Sequence, residues 1–175
     1  TSIYVTGKYA YIASGTIGSE VIIIDVSNPS APVTMSSLDL GLGSYSVYVS
    51  GKYAYVGTNS NSANDFLIVN ISNPSNPVNV SGVDVGANVN SIYVSGKYAY
   101  VGKQNTGLAN DFLIIDISNS SNATVVGGID SGGNDINSVF ISGKYAYIGI
   151  GSTTNEFRII DLSGIDSPTA SIGNI

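Results

Sequence analysis

The chemistry open to this chain is that of carboxylates, tyrosine hydroxyls and lysine amines, because its 175 residues include no Cys and no His. Thiol nucleophiles, disulfides, zinc fingers, haem ligation, imidazole bases and Ser-His-Asp triads are thereby excluded. Asp and Glu number 12 against 6 Lys and Arg, a net charge of -6. Such a surface repels a phosphate backbone, so nucleic acid is not an expected partner. The charges are not scattered. Lys8, Lys52, Lys97 and Lys144 recur at one position, Glu20, Asp65, Asp111 and Glu156 at a second, and Asp39, Asp84 and Asp130 at a third. Regular placement signals scaffold, with cross-strand pairs such as Lys8, Lys97 and Lys144 facing Asp25, Asp116 and Asp161, while the second unit has Asn70 instead. No two carboxylates are set apart as an acid and a base, so an enzyme is not expected. The rival use of Asp65 or Asp111, Ca²⁺ binding with neighbouring Asn and Gly oxygens, is weak without an Asp-x-Asp-x-Asp loop, and no other cofactor is expected.

The positioning elements follow from an internal repeat. Gly-Lys-Tyr-Ala-Tyr begins at Gly7, Gly51, Gly96 and Gly143, at spacings of 44, 45 and 47 residues. A second landmark keeps step: Ile24-Asp25-Val26-Ser27, Val69-Asn70-Ile71-Ser72, Ile115-Asp116-Ile117-Ser118 and Ile160-Asp161-Leu162-Ser163. Period-two alternation marks four short strands per unit, in the second unit over 46–50, 52–57, 65–71 and 78–85, with Asp84 and its equivalents on strand four. No stretch has helical periodicity, and the apolar run at 21–24 is cut by Asp25, so no membrane-spanning helix is expected. Repeated all-β units of this length predict a β-propeller of four-stranded antiparallel blades. The blades are expected over 1–43, 44–88, 89–135 and 136–175.

The runs Gly-Lys-Tyr-Ala-Tyr-Val, Leu-Ile-Val-Asn-Ile-Ser-Asn-Pro and Leu-Ile-Ile-Asp-Ile-Ser-Asn resemble those of the LVIVD-repeat β-propellers across essentially the whole chain. The resemblance implies architecture and location more than activity: members are mostly secreted or cell-surface proteins of bacteria and archaea, often multidomain. It transfers no catalytic residue. The third unit has Asn119-Ser120-Ser121-Asn122 where the first two have Asn-Pro-Ser, and the fourth reads Ser163-Gly164-Ile165-Asp166, which predicts looser turns.

Four such blades, beginning on an inner strand and ending on an outer one over 169–175, leave no strand to complete the first blade, and no polar cap covers either end. Half of an eight-bladed ring of two chains, part of a longer chain, or a subunit of a larger array is expected, ahead of a strained four-bladed monomer. The absence of an initiating Met predicts a longer precursor.

Residues that break the repeat are the better site candidates, since loops on a rigid scaffold commonly carry function. Tyr45, Asn90 and Asn137 align just before strand one, with Asp135 nearby, and Lys103 and Gln104 open one of the loops 59–64, 103–110 and 152–155 on the same face. Their polar groups suit a glycan or peptide, with plain solvated loops as the alternative. Tyr4, Tyr48, Tyr93 and Phe140 are read as packing residues. Phe66, Phe112 and Phe157 are read as inter-blade filling, or as a carbohydrate-stacking platform. Sequons at Asn70, Asn79, Asn119 and Asn122 permit glycosylation outside the cell. The expectation is a non-enzymatic extracellular or cell-surface scaffold, structural or adhesive, that associates with itself or with further blades. A propeller binding glycans or peptides through the loop face around the axial channel is the alternative, with glycans or cell-surface proteins as its partners, and a hydrolase or lyase completed by missing blades is less favoured.

Overall fold

A computed structural model describes residues 1–60, 64–107, 110–152, 156–163 and 173–174. The predicted loop residues 61–63, 108–109 and 153–155, and most of the predicted last strand, lie outside these. Every regular element among the described residues is a strand, so no helix is long and apolar enough to cross a membrane. The first sheet holds β1 (Ser2–Thr6), β2 (Tyr9–Ala13), β3 (Val21–Asp25) and β4 (Val33–Leu38). The second holds β5 (Ser44–Ser50), β6 (Tyr53–Thr58), β7 (Phe66–Asn70) and β8 (Val78–Val83). The third holds β9 (Val89–Ser95), β10 (Tyr98–Lys103), β11 (Phe112–Asp116) and β12 (Thr124–Ile129). The fourth holds β13 (Ile136–Ser142), β14 (Tyr145–Ile150), β15 (Phe157–Asp161) and β16 (Gly173–Asn174). Each is an antiparallel meander in chain order, the all-β propeller-type blade expected from the repeat.

Two differences from the predicted strands have local causes. Asp39, Asp84 and Asp130 lie beyond strand four, not on it: each carboxylate accepts the N–H of the glycine two residues on (Gly41, Gly86, Gly132), and this Asx turn ends the strand. The third unit's turn is no looser than the others. Asn119 Oδ1 accepts Ser121 N–H at 3.1 Å, as Asn28 accepts Ser30 and Asn73 accepts Ser75, so the same side-chain turn forms with or without Pro. The corresponding turn of the fourth unit falls outside the described residues. The inner hairpins turn on Gly7, Gly51, Gly96 and Gly143 at φ of 57, 58, 59 and 58°, a region that favours glycine.

Each blade has two apolar faces. Register places Val47, Val56 and Leu67 on one face of the second sheet, in line with Val49, Ala54 and Val69, and Tyr48, Tyr55 and Ile68 on the other. The first face packs on Tyr11, Ala13, Val21 and Ile23 of the first sheet. The second face packs on Ile92, Val94, Ala99 and Val101 of the third sheet. The third interface repeats the scheme between Tyr100, Phe112 and Ile114 and Val139, Ile141 and Ile148. Among the described residues no such cluster joins the fourth sheet to the first. Ile3 and Val5 are 62% and 58% exposed, whereas Val47 and Val49 at the equivalent positions are 5% exposed each. The sheets therefore form an open arc, a partial propeller rather than the closed ring of four held as the runner-up.

The next blade's inner strand lies close over Gly57 and Gly102. A Cβ at Gly57 would overlap Ser46 Oγ and Val89 Cγ1, and one at Gly102 would lie 2.5 Å from Ile136 Cγ2, whereas one at Gly149, on the open face, would meet only Ser138 Cβ at 3.4 Å. Gly57→Ala and Gly102→Ala are expected to cost about 1–3 kcal/mol each and Gly149→Ala well under ~1 kcal/mol, read from denaturant midpoints.

Candidate functional site at the loop crown

One end of the arc gathers the strand two-to-three loops and the connections that carry the chain into the next blade. The repeated carboxylates organise it. Glu20 is fully buried, and its Oε2 accepts the Leu40 N–H at 2.8 Å. Asp65 Oδ2 accepts Val85 N–H at 3.3 Å and Gly86 N–H at 3.0 Å. Asp111 Oδ2 accepts both the N–H and the hydroxyl of Ser131, at 3.0 and 2.8 Å. Each acid thus pins the segment about 20 residues downstream that leads out of its own blade, in the way a buried carboxylate must be satisfied. The weak calcium candidates Asp65 and Asp111 are these latches. Asp111 has both oxygens on hydrogen-bond donors, Oδ1 taking Asn105 Nδ2 at 2.9 Å, and no group of three or more metal-ligating side chains occurs among the described residues.

Tyr45, Asn90 and Asn137 do not precede strand one. They lie inside β5, β9 and β13 as bulge residues: Ser44 pairs with Thr58 and Ser46 with Gly57, Val89 with Lys103 and Ser91 with Gly102, Ile136 with Ile150 and Ser138 with Gly149, each time leaving one residue over. A bulge re-aims a side chain, and here it does so at three equivalent places. The surplus residues differ in fate. Asn90 Nδ2 donates to Ile136 O at 3.2 Å and ties the third blade to the fourth. Tyr45 is 38% exposed, and Asn137 and Gln104 are exposed. Asp135 Oδ1 accepts the Asn105 N–H at 2.8 Å, as Asn88 Oδ1 accepts the Ser60 N–H at 2.7 Å, so both are braces from the entry of one blade to the loop of the previous one. Asn88 and Asn105 were not singled out from the sequence; a signal existed in the equal spacing of Asn88 and Asp135 before their bulges.

Lys103 is the exception within this order. It occupies the place of Thr58 and Ile150, is 1% exposed, and its Nζ has no hydrogen-bond partner. Burial pushes its pKa down, against the opposing pull of Asp111 and Asp65. Asp65 Oδ1 is likewise buried and unpartnered, and burial raises the pKa of that carboxyl. An unmatched amine and an unmatched carboxylate oxygen therefore share the region between the second and third blades.

The opposite end is built from the pentapeptides. Lys8, Lys52, Lys97 and Lys144 each lie over the following tyrosine ring, 5.0 to 5.3 Å from its centroid. Lys8 and Lys144 also pair with Asp25 and Asp161, at 3.4 and 3.0 Å. Asp161 is pulled down to about 2, first by the Ser163 hydroxyl and N–H and then by Lys144. Asp116 is lowered by Ser118 first, with Lys97 adding to it. The sequon Asn70-Ile71-Ser72 is one of these turns, Asn70 Oδ1 accepting both N–H and hydroxyl of Ser72. Asn79, Asn119 and Asn122 are exposed. Phe66 and Phe112 are fully buried against Tyr55 and Tyr100, which makes them filling, while Phe157 stacks on Tyr147 at 6.3 Å and stays 58% exposed.

The LVIVD repeat family model matches residues 1–39, 43–85, 86–131 and 133–172. No curated protein matches the sequence. Among solved structures, a Bacteroides uniformis protein provisionally named a 6-phosphogluconolactonase is 18% identical with a TM-score of 0.75, covering 96% of this chain and 50% of its own. The computationally designed Ika4 protein is 7% identical with a TM-score of 0.69, over 92% of this chain and 89% of its own. The designed Ika8 protein is 8% identical with a TM-score of 0.65, over 91% of this chain and 45% of its own. The chain thus spans about half the length of two of these three, and at such identities the likeness is one of fold alone.

The unmatched pair makes stability depend on pH. The folded state releases the Lys103 proton before the unfolded state does, so stability rises with pH from the lowered folded value up to the ordinary lysine range. For Asp65 the folded state holds the proton longer, so stability falls as pH rises from the ordinary Asp value of 3.8 through the raised one. Lys103→Met is expected to abolish the alkaline rise and to stabilise the protein by about 1–2 kcal/mol at neutral pH, read from urea midpoints across pH.

Proposed function

The chain belongs to the LVIVD-repeat family, and from that premise we propose that it is a non-enzymatic scaffold, structural or adhesive, that works outside the cell or at its surface by associating with copies of itself. The observation that carries this reading is the pair of apolar blade faces left open at the two ends of the arc. Exposed apolar area of this kind marks an association surface. The repeated carboxylates support the non-enzymatic part, being spent on latches and turns rather than held as an acid and a base. An acidic surface with only 10% charged residues and exposed sequon asparagines support an extracellular setting.

A second reading, a propeller that holds a glycan or peptide at the loop crown, is favoured by one observation: Tyr45, Asn90 and Asn137 are bulge residues at three equivalent places, with Tyr45 and Asn137 exposed. The two readings separate by measurement. Light scattering on the 175-residue chain should give assemblies larger than the 18.0 kDa monomer. A monomer at every concentration up to hundreds of micromolar overturns the scaffold reading. Replacing Tyr45, Asn90 and Asn137 together with Ala should leave that assembly mass unchanged, with a loss of about 1 kcal/mol in stability from the Asn90 bond. Saturable binding on a glycan or peptide array, abolished in the triple variant, would establish the second reading.

A further inference from the structure

The three internal interfaces specify what the open faces fit. On the inner strands Tyr4, Tyr48, Tyr93 and Phe140 form an aromatic ladder from blade to blade, with ring centroids 4.7, 5.2 and 5.2 Å apart. Burial and the hydroxyls of Tyr4 and Tyr93 raise the Tyr48 pKa, as befits a ring held inside the ladder. The ladder stops at Phe140, which is 56% exposed. Register places Phe140 in line with Tyr147 and Ile159, the arrangement of Tyr48, Tyr55 and Ile68 at the covered interface between the second and third blades. At the other end Ile3, Ile12 and Ile22 line up as Val47, Val56 and Leu67 do, and Val5 and Ile24 stand where Val49 and Val69 stand. Neither open face carries a charge at these positions. The fourth blade thus ends on the face that every earlier blade uses to receive its successor, and the first blade begins on the face that every later blade uses to sit on its predecessor.

We propose that the open face of the fourth blade receives the first blade of a second copy, head to tail, and that this contact made twice closes a two-chain ring with Phe140 of each copy stacked on Tyr4 of the other. The proposal rests on the self-association reading and assigns its surface and geometry. A heterologous contact either closes or propagates. Closure at two copies is supported by the arc, which superposes on about half of two longer chains of the same fold.

Val5→Glu and Phe140→Glu test the surface, both at positions more than half exposed, so that the isolated chain keeps its fold, as checked by circular dichroism. The parent chain should run as one discrete species of twice 18.0 kDa and each variant at 18.0 kDa. A mixture of the two variants should regain a dimer through the one junction whose faces are both intact. A second test uses the absence of Cys: in the double variant Tyr4→Cys, Phe140→Cys only these two positions react with a short bismaleimide. It should yield covalent dimers and no longer products. A dimer that survives Phe140→Glu, or a dimeric Tyr4→Cys, Phe140→Cys variant that fails to cross-link, overturns this assignment while leaving self-association standing. A ladder of higher masses overturns closure at two copies, and a monomeric parent overturns the assignment together with the reading beneath it.

Discussion

A single blade of this protein cannot cover itself, and most of the structure follows from that. Four short strands give a sheet with apolar side chains on both faces, Val47 and Val56 on one, Tyr55 and Ile68 on the other, and each face is dry only when another blade lies against it. Burying one Val, Ile or Phe is worth about 1.5–3 kcal/mol, so an interface of ten such residues outweighs any polar contact the chain makes. Stability in such an array is a sum over neighbouring pairs. The glycines of strand two belong to the same constraint: at Gly57 and Gly102 a methyl group would hold the next blade's inner strand away.

The polar chemistry serves that packing. A blade stays stacked only if the segment leaving its outer strand is steered back to the axis, and Glu20, Asp65 and Asp111 do this by gripping backbone N–H groups just beyond β4, β8 and β12. Asp39, Asp84 and Asp130 set the turn, and Asn88 and Asp135 brace the entry into the next inner strand. At the far end Ser36 and Ser81 hydroxyls donate to Pro74 O and Ser120 O of the following blade, and Ser120 in turn donates to Tyr53. Two rows of bonds, one at each end of the arc, therefore help fix the angle between successive blades.

The repeat was legible because periodicity in sequence maps directly onto periodicity in space, and the four-strand blade, the Gly turns and the Lys–Asp pairs of the first and fourth units could all be read from spacing. The bulges could not. Alternation counts side chains per strand and is blind to an extra residue whose partner strand skips it, which is why Tyr45, Asn90 and Asn137 read as lying before strand one. The latches were half legible: the acids recur at one offset, yet their partners are backbone N–H groups, which leave no mark in a sequence. Lys103 was legible as a departure from Thr58 but not as a buried one, since a lysine at the start of a polar loop reads as solvated.

That departure separates the demands of folding from the rest. Thr58, at the equivalent place, returns its hydroxyl to Asp65 O and Asn59 O and leaves no buried charge, so the scaffold has a satisfactory residue there. Lys103 instead brings an amine out of water with no acceptor, next to a latch whose second oxygen lacks the donor that Asn105 gives Asp111. Leaving a buried amine unmatched costs about 1–3 kcal/mol, a sizeable share of the stability of a domain this size. Breaches of local consistency concentrate at sites answerable to something other than folding. The breach lies at the seam between the second and third blades, away from both open faces, so assembly through the ends leaves it untouched.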